Sequence, residues 1–151
     1  MDENWMDQAL AEAQKALRAG EVPVGAVVVR DDSLLGTGHN EVEKRGDATA
    51  HAEMLAIRRA CSVLGDWRLN GATIYVTLEP CHMCMGAFYL SRVSRVVYGA
   101  AQPRSGACGS VDDFHRLNLF NHEIEVVAGV KKEKCLLLLR EFFHNLREKG
   151  K

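Results

Sequence analysis

Apolar residues at Met6, Leu10, Ala13 and Leu17 recur at helical spacing and Gly20 follows where a helix would stop, so the chain is predicted to open with an amphipathic helix. Residues 24–29 form a short β-branched run, Asp31-Asp32-Ser33 supply a turn, and residues 34–40 read as a second strand paired with the first as a hairpin. A polar loop over 41–47 leads to Met54, Ile57, Cys61 and Leu64, one face of a second helix for which Thr49 is the expected N-cap. Ile74, Val76 and Leu78 alternate in a strand that Pro80 ends, and a helix is expected over 81–90. Residues 95–98 read as a fourth strand and 124–128 as a fifth. Between them 100–110, with Pro103, Gly106 and Gly109, must be a long loop. A last helix is expected to bury Leu136, Leu139, Phe143 and Leu146. Strands alternating with helices after the hairpin argue for one α/β domain, a mostly parallel five-stranded sheet covered on both faces.

Composition leaves that picture intact. The 151 residues are 47% hydrophobic and 26% charged, an ordinary globular balance for a single domain. No apolar run approaches the roughly 18 residues needed to cross a bilayer, and Met1-Asp2-Glu3 lacks the basic start of a secretory signal, so a cytoplasmic protein without a membrane contact is expected. Five cysteines, an odd number, fit reduced thiols or metal ligands better than a disulfide framework.

Charge adds more. A formal net charge of -1 argues against a strongly basic nucleic-acid binder. Residues 131–151, however, hold seven basic residues against three acidic ones, net +4, leaving -5 on the rest. Such a segment is either a polyanion contact or a solvated helix face.

Two short motifs carry candidate chemistry. In Cys81-His82-Met83-Cys84 the thiols fall three positions apart at a helix start, where the dipole favours thiolates and a metal could bridge them; alone, the pair could equally be redox-active or buried thiols. In His51-Ala52-Glu53 the outer residues can converge only by looking over a helix end, or else they merely cap it. Together they offer three ligands, His51, Cys81 and Cys84, and a carboxylate that need not bind metal; a structural site is normally closed by four protein ligands, whereas a catalytic one keeps three and leaves a position for water. Cys61 and Cys135 read as core thiols. Cys108, in the glycine-containing loop, is the one candidate for a fourth ligand.

His-x-Glu followed by Pro-Cys-x-x-Cys resembles the signature of the zinc nucleobase deaminases. The segments 20–27 (Gly-Glu-Val-Pro-Val-Gly-Ala-Val), 49–54 (Thr-Ala-His-Ala-Glu-Met) and 75–81 (Tyr-Val-Thr-Leu-Glu-Pro-Cys) look like those of bacterial tRNA-specific adenosine deaminases, and the likeness runs over nearly the whole chain. The resemblance implies a three-layer α/β/α cytidine-deaminase-like fold with a five-stranded mixed sheet. It also implies a homodimer with one zinc ion per subunit, and hydrolytic conversion of adenosine to inosine at the wobble position (position 34) of a tRNA anticodon stem-loop, with tRNA-Arg carrying A34 as the expected partner.

Matched position by position, His51, Cys81 and Cys84 resemble the zinc ligands and Glu53 the proton shuttle. Asn40 resembles a residue that holds the target nucleotide, Val24 and Gly25 the pocket floor, and Phe143 an aromatic that touches the anticodon strand. Read without the family, Asn40 is a strand-end residue and the phenylalanines are core. Three departures stand out: Ala48 where proline is common, Gln102 where aspartate is, and Arg104 where lysine is. The last two are expected to face flanking nucleotides. Rival readings are a deaminase of a free base such as guanine or cytosine, and a non-catalytic zinc module closed by Cys108. No role is assigned to His115, His122 or His144.

Overall fold

The computed structural model describes residues 1–114 and 121–150; His115 and the terminal Lys151 lie outside them. Among the described residues ten elements follow in order: α1 (Asp2–Arg18), β1 (Gly25–Arg30), β2 (Ser33–His39), α2 (Val42–Arg45), α3 (Ala52–Leu64), β3 (Thr73–Leu78), α4 (His82–Leu90), β4 (Arg95–Ala100), β5 (Glu125–Val127) and α5 (Lys132–Lys149). All five strands and four long helices stand where the hydrophobic pattern puts them. The single-turn α2 interrupts what reads as a polar loop.

The sheet order is β2-β1-β3-β4-β5, and it is mixed. β3, β4 and β5 are parallel neighbours, whereas β1 is antiparallel to both β2 and β3. The expected mostly parallel sheet is thus corrected. β2 and β3 do run in the same direction, as a strand-helix-strand connection requires. They are not adjacent, because the tight hairpin has already paired β2 with β1, and β3 takes the open edge of β1 instead. That hairpin turns on Asp31 and Asp32, whose φ values of 51° and 59° give the doubly left-handed turn that matches strand twist.

Alternation along the strands divides two cores. Ala26, Val28, Ile74, Val76 and Val96 meet α3 and α4; Val27, Val29, Tyr75 and Val97 meet α1 and α5. The chain is therefore three layers, α1/α5, sheet, α3/α4. Burial on both faces explains why β1 reads as an unbroken apolar run rather than an alternating one.

Close approach of α3 to the sheet depends on glycine. Gly36 and Gly38 of β2 face the α3 backbone, and a Cβ on Gly38 would strike the Ala52 carbonyl and the Ala56 nitrogen. The buried face of α3 is correspondingly small, with Ala52, Ala56 and Ala60 wholly buried, while Met54, Cys61 and Leu64 of the expected stripe are only partly buried. Gly38→Ala is expected to cost about 3 kcal/mol, the upper end for an overpacked core. At about 2–4 °C per kcal/mol for a chain of this size, thermal unfolding should fall by about 6–12 °C. A shift under about 2 °C would mean that α3 yields freely.

Candidate active site

The N-termini of α3 and α4 converge at the carboxyl end of β3. His51 caps α3 with extended dihedrals (φ -75°, ψ 151°) and Cys81 caps α4 likewise (φ -83°, ψ 178°). A residue at this position has left the helix, so its side chain can look across the helix end. Glu53 and Cys84 then fall in the first turns of their helices. Thr49, the expected cap, instead bonds Asp47 Oδ1 through both its backbone nitrogen and its hydroxyl, forming the turn that delivers His51.

Three ligand atoms meet there. His51 Nδ1 lies 3.8 Å from Cys81 Sγ and 3.7 Å from Cys84 Sγ, and the sulfurs are 3.8 Å apart. An ion bonded tetrahedrally to sulfur at about 2.3 Å and nitrogen at about 2.0 Å requires ligand separations of about 3.5–3.8 Å, so the donor set fits a metal ion. Among the described residues, these three form the one such cluster. Cys108 takes no part in it: its Sγ contacts Met85 Sδ at 3.2 Å, in the core, and burial pushes its thiol up to about 12. Among the described residues no fourth protein ligand joins the three, an arrangement that matches the catalytic pattern of three protein ligands and a position for water.

Without an ion the thiols are unequal. Contact with Cys84, opposed by burial and reinforced by His51, pushes Cys81 down to about 3, while contact with Cys81 and burial push Cys84 well up. His51 is raised, chiefly by Cys81. Glu53 is 4% exposed, and burial pushes its carboxyl above the usual carboxylate range.

A cavity of about 680 Å³ opens over this cluster, within the range of ligand sites. His51, Glu53 and Cys81 line its floor, with Val24, Asn40, Gln102 and Phe143 among its walls. Asn40 sits between Val22 O and Val42 N, each 3.4 Å from its side-chain amide. Gly25 and Arg104 do not reach the cavity. Gly25 faces α1, where a Cβ would strike the Ala9 carbonyl, and Arg104 is exposed, its nitrogen donating to Gln102 Oε1.

α5 behaves differently from its pattern. Cys135 is its one buried residue, whereas Phe143 is 48% exposed and Leu146 54%. Apolar contact with the sheet layer ends near Leu139, and beyond it Phe142, Phe143 and Leu146 border the cavity instead of filling a core. The phenylalanine rings meet edge to face at 5.3 Å. Cys61, read as a core thiol, is only partly buried, with Sγ 3.6 Å from Trp67 O.

Two carboxylates that the sequence reading passed over hold the cavity walls. Glu21, 2% exposed, accepts the Glu43 and Lys44 backbone N–H groups at 3.0 and 2.8 Å, fixing α2. Glu79, 3% exposed, receives the loop after β4; burial pushes its carboxyl up, but Ser110 and three loop N–H groups outweigh this and hold it below the usual range. Their signal was available: an acidic residue inside an otherwise apolar or turn-forming motif needs donors.

Against known proteins, the chain matches the MafB19-like deaminase family over residues 1–147. It is 50% identical over 150 residues to a tRNA-specific adenosine deaminase of Bacillus subtilis, covering 99% of this chain and 93% of that protein. This chain belongs to the tRNA-specific adenosine deaminase family. The deaminase also superposes on a solved structure from a study of A-to-I editing by tRNA:A34 deaminases at the wobble position of transfer RNA, with a TM-score of 0.87, 40% identity, and coverage of 90% of this chain and 99% of that one. A guanine deaminase from Nitrosomonas europaea shares the fold at a TM-score of 0.78 and 28% identity, covering 93% and 83%. The architecture of the deaminase is thus the three-layer, cytidine-deaminase-like one implied by its motifs.

Proposed function

We propose that this deaminase hydrolyses adenosine to inosine at the wobble position of a tRNA anticodon, with one zinc ion per subunit held by His51, Cys81 and Cys84. The observation that carries the reading is Glu53, a buried carboxyl group beside a cluster of three candidate ligands that no fourth protein ligand joins among the described residues, on the floor of a cavity large enough for a nucleoside. When bound, the ion supplies the Lewis acidity that makes water a nucleophile near neutral pH. Glu53 accepts the water proton, delivers it to the ring nitrogen beside the amine-bearing carbon, and returns a proton to the departing ammonia. Water and adenosine balance inosine and ammonia.

Asn40 and Val24 hold the flipped nucleotide from the wall. Gly25 acts indirectly, by letting α1 close against β1 beneath Val24. Phe143, with Phe142, offers an aromatic face on which an unstacked anticodon base can lie, and Arg147 and Lys149 in the last turn of α5 meet the backbone phosphates. Arg104 and Gln102 face the nucleotides that flank the target. The finer assignments, tRNA-Arg with A34, a homodimer and a cytoplasmic site of action, belong to the same reading; among the described residues no helix is long and apolar enough to cross a membrane.

The guanine deaminase neighbour motivates the one rival, a free-base deaminase. Zinc-loaded protein, given an anticodon stem-loop with adenosine first in the triplet, is expected to produce inosine, read as guanosine on sequencing. Activity should fall steeply with added salt as phosphate contacts are screened. Turnover of free guanine, flat salt dependence and an unchanged stem-loop would establish the rival.

A further inference from the structure

The 101–110 loop supplies Gln102 and Ser105 to the cavity, and it has no regular secondary structure to hold it. Beyond the loop's own turns and the isolated Cys108–Asp113 bridge, Glu79 ties it to the end of β3. This residue follows β3 directly, its nitrogen donates to Ala100 O at 2.8 Å as the ladder continues, and it lies two positions before Cys81. Its carboxylate is buried, and among the described residues no basic side chain pairs with it.

Loop donors take the place of a cation. Oε1 accepts the Gln102 N–H at 3.0 Å and the Ser110 hydroxyl; Oε2 accepts the Cys108 N–H at 2.9 Å and the Ser110 N–H at 3.1 Å. These bonds tie both ends of the loop to one point, and its middle passes over the carboxylate so closely that a Cβ on Gly106 would fall on the Glu79 side chain. A further bond, Ala107 N–H to Pro80 O at 2.8 Å, keeps the loop against the same turn.

We propose that Glu79 is a positioning residue for substrate: its buried carboxylate gathers the 101–110 main chain and so sets where Gln102 and Ser105 stand relative to the metal cluster. The inference rests on the proposed function for its substrate, but not for its geometry. Glutamine at 79 has the same shape yet keeps one acceptor oxygen in place of two, so donors on one side of the loop face an N–H₂ group and the anchor they share is broken while the three clustered residues are untouched.

The test uses full-length zinc-loaded protein. Glu79→Gln is expected to keep one metal per chain and to speed hydrogen exchange at the Gln102, Cys108 and Ser110 amides together by about ten-fold or more, with β3 and β4 amides unchanged. KM for the stem-loop should rise about ten-fold with kcat within about three-fold. Gly106→Ala should reproduce the KM effect, and the double variant should be no worse than either alone, because both sever one contact. Should Glu79→Gln fail to fold, Ser110→Ala, which removes one side-chain donor, is expected to raise KM about three-fold and loosen the same amides. Unchanged protection at the three amides, additive effects in the double variant, or loss of kcat and metal with KM unmoved would overturn the proposal. If wild type makes no inosine, the functional reading fails, while the exchange result still decides the role of Glu79.

Discussion

Glu53→Gln is expected to lower kcat for inosine formation by at least about a thousand-fold, within the span attributed to positioned acid-base groups, while metal content stays at one per chain. The expectation comes from place as much as from chemistry. Glu53 is nearly inaccessible to water, in the first turn of α3, and close enough to His51 and Cys84 to feel both electrostatically. Glutamine fills the same volume and can still hydrogen-bond, so the cavity and the cluster should persist. It cannot accept and return a proton. Parallel measurement of single-turnover rate and metal stoichiometry separates the outcomes: a rate within about ten-fold of wild type would deny Glu53 the proton transfers, and loss of metal would make it a ligand instead.

The second large effect is expected from Cys84→Ser. Cys84 is fully buried and offers one of the three clustered atoms that would hold an ion, so its loss should leave metal content below about a tenth per chain and abolish turnover, since a hard hydroxyl is a poor substitute for thiolate. Stability should follow. An ion present at about a thousand times its dissociation constant stabilises the folded state by about 4 kcal/mol, so the variant, and wild type treated with chelator, should unfold about 8–16 °C lower. Cys108→Ser provides the contrast: with its sulfur turned to Met85 rather than to the cluster, it should retain the full metal complement. Equal metal loss in both variants would restore Cys108 as a fourth ligand and point back to a structural site.

Sequence and structure agree best where local chemistry decides. The apolar spacing of Met6, Leu10 and Ala13, all buried, was enough to define α1. The turn aspartates account for the β1–β2 hairpin, and the two short motifs named the three residues that cluster among the described ones. Agreement ends where a residue's role depends on what lies opposite. Thr49 and His51 are both reasonable helix starts, and only the turn closed by Asp47 puts the cap at His51. Phe143 and Leu146 continue the apolar pattern of α5, but helical periodicity records which residues share a face and not how far the neighbouring sheet extends. They therefore read as core and prove to be cavity rim.

Connectivity shows the same division. A strand, a helix and a strand in succession require β2 and β3 to run the same way, and they do. Whether they touch is decided by competition for an edge, which β1 wins through its hairpin. The buried carboxylates make the point chemically. Glu21 and Glu79 look like any acidic residue in a list of letters, and their function lies in backbone N–H groups 22 to 31 positions away. By itself the sequence determined the elements and singled out the three residues, His51, Cys81 and Cys84, that the fold brings together, because helix spacing, turn chemistry and metal preference are properties of neighbouring residues. Only the tertiary structure decided the strand order, the exclusion of Cys108 and the anchoring of the cavity walls, because burial and hydrogen-bond satisfaction are settled by packing between segments distant in the chain.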